Sequence, residues 1–384
     1  MPNPDPATVI EAAWHKNQLA TTVPAMCVSY FDASNPAAPI ELVSPFGLAV
    51  VKPLIGTNDQ TVFELGSETK LFTSMMLAFP FALNYLGLNE PVADYLQAQY
   101  NFTGTSAFQQ ITLLQLATHT SGMPDEDKST GKASYNLFHD LDPSAALINY
   151  WTTFAPVNPI GECWLYSSLG FVTLGYAVTQ MYGEPEKGKY NAILERYFTG
   201  MKPDLLRMPH TGAIVQDDWM PAKGYVRDKD QTEPASGIAA DLKSSGHDML
   251  TFIKAQLNQL DPAPNPVIQR AISATQDYHG EFPKCGKPKA PEMKMGLGWQ
   301  IVELDGRRML TKNGACGLGG QSCAICLLPD ITVGVSVLTN QVYCGGSRPS
   351  GTSPTAVARE ILSELHPSSA PLLDRLTEQP EADG

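Results

Sequence analysis

The stretch that most restricts this chain is Thr61 to Ala78, TVFELGSETKLFTSMMLA. Its first five residues carry β-branched and aromatic side chains with enough alternation for a short strand, and Gly66 breaks that run. Leu71, Phe72, Met75, Met76 and Phe79 then recur at steps of three and four, which predicts a helix with Ser67 at or near its start. Lys70 falls one turn further on, on the same face, so its amine comes within reach of the Ser67 hydroxyl.

A serine hydroxyl is a poor nucleophile until a base takes its proton, and a lysine is a base only if burial or a nearby cation lowers its pKa. The apolar helix supplies burial. The helix start supplies free N–H groups and a positive dipole end that would stabilise an oxyanion. This combination fits acyl transfer, although an N-cap serine beside a surface lysine would leave the same letters. The chain holds a second copy, Ser129-Thr130-Gly131-Lys132, in a polar stretch without apolar periodicity; it is predicted to be a solvated loop.

A chain of 384 residues can bury a large core as one unit or two subdomains. With 43% hydrophobic and 17% charged residues it reads as globular, and a net charge of −13 disfavours nucleic acid and anionic membrane as partners. No apolar run is long enough to span a bilayer. The first residues, MPNPDPATVIEAAWHK, lack the layout of a secretory leader, which leaves a cytoplasmic chain or a mature form with its leader removed. Seven cysteines leave at least one without a partner in the chain. Cys323 and Cys326 have the spacing of a redox or zinc pair, but they lie in an apparent strand, where residues three apart point to opposite faces. The histidines show no metal-ligand spacing, and neither metal nor cofactor is expected.

In chain order, an amphipathic helix is predicted over 7–17, strands over Ala25 to Phe31 and Phe46 to Val51, and a short helix opened by Pro91. Ile111 to Thr118 reads as a helix running into HTSGMP, where His119 is a tempting base but fits a capping or packing residue better. Tyr166 lies on a loop before a helix predicted over Val172 to Met181; it could project into a cleft or simply pack. Residues 186 to 236 read as a surface or cleft-covering segment, and Gly237 to Leu257 ends in a helix with Asp248 near its start. Strands are predicted over Gly298 to Val302, Met309 to Lys312, Cys323 to Leu328 and Thr332 to Leu338, then a helix over Thr355 to Leu365. Lys312 ends one of these strands ahead of a glycine-rich turn, as a cleft-rim cation or a plain surface lysine.

Ser-x-x-Lys, then Tyr-x-Ser about a hundred residues later, then Lys-x-Gly on a late strand is an ordered set. With FELGSETK, ITLLQLATHTSGMP, WLYSSLGFVTLGYAV, GIAADLKSSGHDM, MGLGW and KNGACGLGG, the chain resembles the serine β-lactamase and penicillin-binding protein superfamily, most of all class C β-lactamases. The resemblance implies an α/β (α+β) fold of the β-lactamase/transpeptidase type: an antiparallel sheet flanked by helices, plus a mostly helical domain. Residues 1–66 and 290–384 would form the sheet domain and 67–289 the helical one, with the active site in the cleft between them. It implies Ser67 as acylated nucleophile, Lys70 as its proton partner, Tyr166 as a phenol exchanging protons, and Lys312 holding the substrate carboxylate. Both lysines would then lower the pKa of the phenol. The backbone N–H groups of Ser67 and Ala315 would form the oxyanion hole.

Ser168, Asn313, Gly314, Glu126 and Arg348 are the candidate substrate-binding residues. Three departures bear on substrate range: Ser168 stands where the family usually has asparagine, Asn313 where it has threonine, and Asp125, Glu126 and Asp127 where related chains often have glutamine. The resemblance implies a monomer that hydrolyses small β-lactams and is periplasmic or secreted if a leader was removed. Alternatives are an esterase, D-amino-acid peptidase or acyltransferase of the same fold, or a penicillin sensor that acylates without turnover.

Overall fold

The computed structural model describes residues 4–21, 24–126, 143–183, 185–226, 229–230, 242–287, 289–316, 320–341 and 353–375. Its strands begin with β1 (Ala25–Asp32), β2 (Ile40–Val50), β3 (Ile55–Gly56) and β4 (Thr61–Glu64). Short pieces follow in the middle: β5 (Met220–Pro221), β6 (Tyr225–Val226), β7 (Lys229–Asp230) and β8 (Lys243–Ser245). The last third supplies β9 (Gly280–Phe282), β10 (Met293–Met295), β11 (Gln300–Leu304), β12 (Arg307–Cys316), β13 (Gln321–Leu328) and β14 (Val333–Thr339).

Strands from both ends of the chain lie side by side in one nine-stranded sheet, ordered β3-β2-β1-β14-β13-β12-β11-β10-β9. Every pairing in it is antiparallel. Its central strands are buried along nearly their whole length because helices cover both faces. On β1, Cys27 and Phe31 join the larger core while Met26, Val28 and Tyr30 join a second one. That second core is filled by the terminal helices Pro6–Thr21 and Pro354–Leu365, whose Val9, Ile10, Ala13, Val357, Ile361 and Leu365 recur at helical spacing. Cys323 and Cys326 fall in different cores, as a strand requires, and both are free thiols.

On the other face the helix Thr69–Ala82 is buried nearly all round, so its apolar character continues past one stripe. Phe72 stacks on Phe252 of the helix Gly246–Gln256 with ring centroids 4.7 Å apart. A second sheet, β5-β4-β8, leads directly into the Ser67 turn.

Several expectations needed correction. The helix after Tyr166 starts at Ser168, not Val172, because Ser167 caps it by accepting from the Gly170 N–H at 2.8 Å. The helix predicted over 111–118 shortens to Leu113–Ala117, with Thr112 and Gln115 closing a capping box. The segment 186–236 is not surface alone: Tyr190, Ile193, Leu194 and Phe198 lie in the core on the helix Tyr190–Leu194 and the π turn after it. Helices Ala145–Thr153 and Pro266–Gln276 were not anticipated. Among the described residues, no helix is long and apolar enough to cross a membrane.

Candidate active site

β4 ends in a single 3-10 turn, Gly66–Glu68, from which the buried helix starts at Thr69. Gly66 has φ +49°, and a Cβ there would sit 2.6 Å from the Ala315 nitrogen. On the opposing strand a Cβ at Gly314 would lie 2.0 Å from the Leu65 carbonyl oxygen. Turn and β12 therefore meet backbone to backbone, and only glycine permits it. The same contact brings the backbones of Ser67 and Ala315 to one place.

Ser67 is 7% exposed, and the Lys70 Nζ lies 3.0 Å from its Oγ. Burial, then the Lys312 charge, holds the Lys70 amine well below its ordinary pKa, which favours the unprotonated form that can act as a base. The Tyr166 hydroxyl donates to the same Ser67 Oγ. The Lys70 Nζ also lies 3.4 Å from the Ser168 Oγ and 4.9 Å from the centroid of the Tyr166 ring.

The expected acidic phenol is corrected. Burial pushes the Tyr166 pKa above its ordinary value, and Asp125 adds to the rise, against hydrogen bonds from Ser67 and Ser168. Desolvation is the largest influence on the phenol, and both lysines expected to oppose it are themselves pushed down by burial. Tyr166 thus holds its proton as a donor.

The Tyr166 loop is tied down by side chains. His119, at φ +59°, packs its ring 4.6 Å from the Tyr166 ring, and its Nδ1 accepts the Ser167 N–H at 3.1 Å. Burial first, then both lysines, holds this imidazole well below its ordinary pKa, and with its Nδ1 occupied by Ser167 and with Lys70 and Tyr166 on the Ser67 oxygen, it packs and positions the loop. The Asp125 Oδ1 accepts the Ser168 N–H at 2.8 Å. A disulfide, Cys163–Cys285, joins the loop to the segment after β9, alongside backbone bonds from Trp164 to Pro283 and from Cys285 to Trp164.

Lys312 is not a surface lysine: it is 1% exposed, with its Nζ 5.4 Å from the centroid of the Tyr166 ring and 2.7 Å from the Asn313 carbonyl oxygen. Burial pushes its pKa down to about 8, against the opposing pull of Glu68, Cys323 and Asp125. Ser67, Lys70, Tyr166, Ser168, Lys312, Gly314 and Ala315 are thus brought together. Asn313 is half-buried on β12, and Glu126 is exposed. Arg348, Asp127 and the Ser129 to Lys132 copy lie outside the described residues. Sequence reasoning passed over Glu68, the hold of His119 on Ser167, and the disulfide; of these only the cysteine count left a trace.

The fold is that of the class C beta-lactamases. A solved class C beta-lactamase superposes with a TM-score of 0.74 at 21% identity, covering 93% of this chain and 96% of that one. A class C beta-lactamase in complex with cefoxitin matches equally, with a TM-score of 0.74, 21% identity and coverage of 93% and 98%. A profile of the beta-lactamase family matches residues 31–358, and the chain belongs to that family. A beta-lactamase of Pseudomonas fluorescens is 27% identical over 255 residues, 64% of this chain and 61% of the relative. One from Yersinia enterocolitica is 24% identical over 287 residues, 73% and 65% respectively. The chain thus spans about three fifths of the length of these curated relatives.

Proposed function

We propose that this chain hydrolyses β-lactams through an acyl-enzyme on Ser67, in a cleft between β12 and the loops carrying His119 and Tyr166. The observation that carries this reading is the meeting of two proton-handling groups, the Lys70 amine and the Tyr166 hydroxyl, on one serine oxygen. The neutral Lys70 amine takes the Ser67 proton as Oγ bonds to the lactam carbonyl carbon. The N–H groups of Ser67 and Ala315 hold the oxyanion, each such donor being worth about 10²–10³ in rate. As the carbon–nitrogen bond breaks, Tyr166 gives its proton to the leaving nitrogen and is reprotonated from Lys70. Water then attacks the ester, its proton passing back through the same pair to Ser67 Oγ.

The Lys312 ammonium takes the substrate carboxylate. The groups used are all present within one chain, so the proposed chemistry on a small molecule requires no second copy. The Cys163–Cys285 disulfide supports an oxidising compartment, periplasmic or extracellular.

The test is nitrocefin turnover beside p-nitrophenyl ester turnover, with intact mass followed after a penicillin is added. Opening of nitrocefin with a transient adduct supports the reading. Ester turnover alone, or an adduct that never decays, overturns it. Ser67→Ala should abolish the adduct and Ser129→Ala should leave it unchanged.

A further inference from the structure

The residue after the nucleophile is a carboxylic acid with no use in the mechanism above. Glu68 is 0% exposed, and among the described residues neither of its carboxyl oxygens accepts from an N–H or O–H group; the polar group set against it is the Cys323 thiol. An isolated buried carboxylate is costly, so the site must either protonate it or set a cation beside it. The 3-10 turn that carries Glu68 packs on β12 and β13. On β12, Lys312 and Gly314 share a face, and Cys323 stands opposite Gly314 on β13. The thiol of Cys323 donates to Leu65 O at 3.0 Å, leaving its sulfur against the Glu68 carboxyl. Glu68 is therefore wedged beneath the strand that presents Lys312 and is coupled electrostatically to that ammonium.

We infer that Glu68 is a positioning residue acting through Lys312: it is the internal counter-charge that keeps the carboxylate-binding ammonium of this site charged as pH rises. The inference rests on the proposed role of Lys312 in receiving a substrate carboxylate. Burial pushes Glu68 up to about 8, against Cys323 and Lys312, and Lys312 is pushed down to about 8. In neutral solution Glu68 mostly carries its proton. As pH rises from there, the Glu68 carboxylate opposes the effect of burial on Lys312, so with Glu68 removed the ammonium is lost at a lower pH. The other groups facing this pair are Lys70, His119, Tyr166, Asp125 and the thiols of Cys316, Cys323 and Cys326. Of these, Asp125 and Cys323 pull Lys312 the same way as Glu68 and remain when Glu68 is changed.

The experiment compares wild type with Glu68→Gln on two phenyl esters, one bearing a carboxylate on the leaving group and one without, at pH 6.5 and pH 8.5. Wild-type nitrocefin turnover is measured separately, so a failed β-lactamase reading shows there and not here. Expected is a rise of about tenfold in KM for the anionic ester at pH 8.5, and less than about twofold at pH 6.5. kcat and the neutral ester should move little at either pH. An equal loss on both esters, or the same loss at both pH values, would mean a structural role and overturn the inference. Should the variant fail to fold, Glu68→Asp keeps a shorter, withdrawn anion; it should shift KM the same way by less, and an unshifted pH dependence there also overturns it.

Discussion

On one side of the Ser67 oxygen, the Gly66 turn and β12 touch backbone to backbone; on the other, Tyr166 is held by an imidazole, a carboxylate and a disulfide. The first wall has no rotamers to adjust, since its contact is made by peptide groups of a turn and a strand. The second is assembled from side chains on loops, each separately replaceable. The comparison teaches that the oxyanion side of this site should fail all at once when disturbed, and the proton-transfer side by degrees.

The largest expected effect tests the rigid wall. In Gly314→Ala the new methyl would lie 2.0 Å from Leu65 O and 2.8 Å from Cys323 Sγ, so a backbone must move. We expect at least about 3 kcal/mol of destabilisation, the upper end of overpacking, and acylation slowed by at least about 100-fold. Gly56→Ala, where nothing lies within 4 Å of the added carbon, should alter neither. Thermal unfolding and the rate of penicillin adduct formation check both. A Gly314→Ala protein acylating at the wild-type rate would erase the distinction between the walls.

The disulfide tests the other wall. Cys163 and Cys285 are 122 residues apart in sequence, and replacing both with serine should cost about 2–4 kcal/mol of stability. Tyr166 then loses a tether but keeps His119 and Asp125, so we expect kcat to fall about tenfold while KM for a carboxylate-bearing substrate changes less than about twofold. A KM that rises together with the fall in kcat would show that the disulfide also supports β12.

The same division explains what the sequence disclosed. A wall made of backbone needs glycine at its contact points and a strand beside a helix start, and GSETK and KNGA carry those signals in the letters themselves. Sheet strands were readable because burial on two faces leaves near-continuous apolar runs. The helix Pro266–Gln276 was equally readable in principle, with an Asn265 cap and a proline at its first position. The Tyr166 wall was not. A disulfide between distant cysteines cannot be paired from a count of seven, and the acceptor role of His119 depends on a fold that returns Ser167 to it. The phenol was misjudged because a sequence displays the charges near a group but not its desolvation, which here outweighs them. Glu68 escaped notice for a related reason: an acid near a helix start looks favourable wherever water reaches it, and only its burial makes it exceptional.

The smallest expected effect separates the two imidazole roles that the sequence left open. In His119→Phe the ring contacts with Tyr166 and Phe171 survive in kind, but the Ser167 N–H loses its acceptor and is left buried, a cost of about 1–3 kcal/mol. His119→Asn keeps an acceptor and should cost less. Neither should move the acid limb of the pH–rate profile. We assign that limb to Lys70: its pKa is lowered, and protonation on the way down in pH removes the lone pair that takes the serine proton. His119 is held below its ordinary imidazole pKa, so replacing it takes away no charge at neutral pH. Unchanged acid midpoints in both variants, with kcat lowered a few-fold in His119→Phe only, would place His119 among the supports of the side-chain wall. A shifted acid midpoint in His119→Asn would instead make the imidazole a proton carrier and move it across to the chemistry.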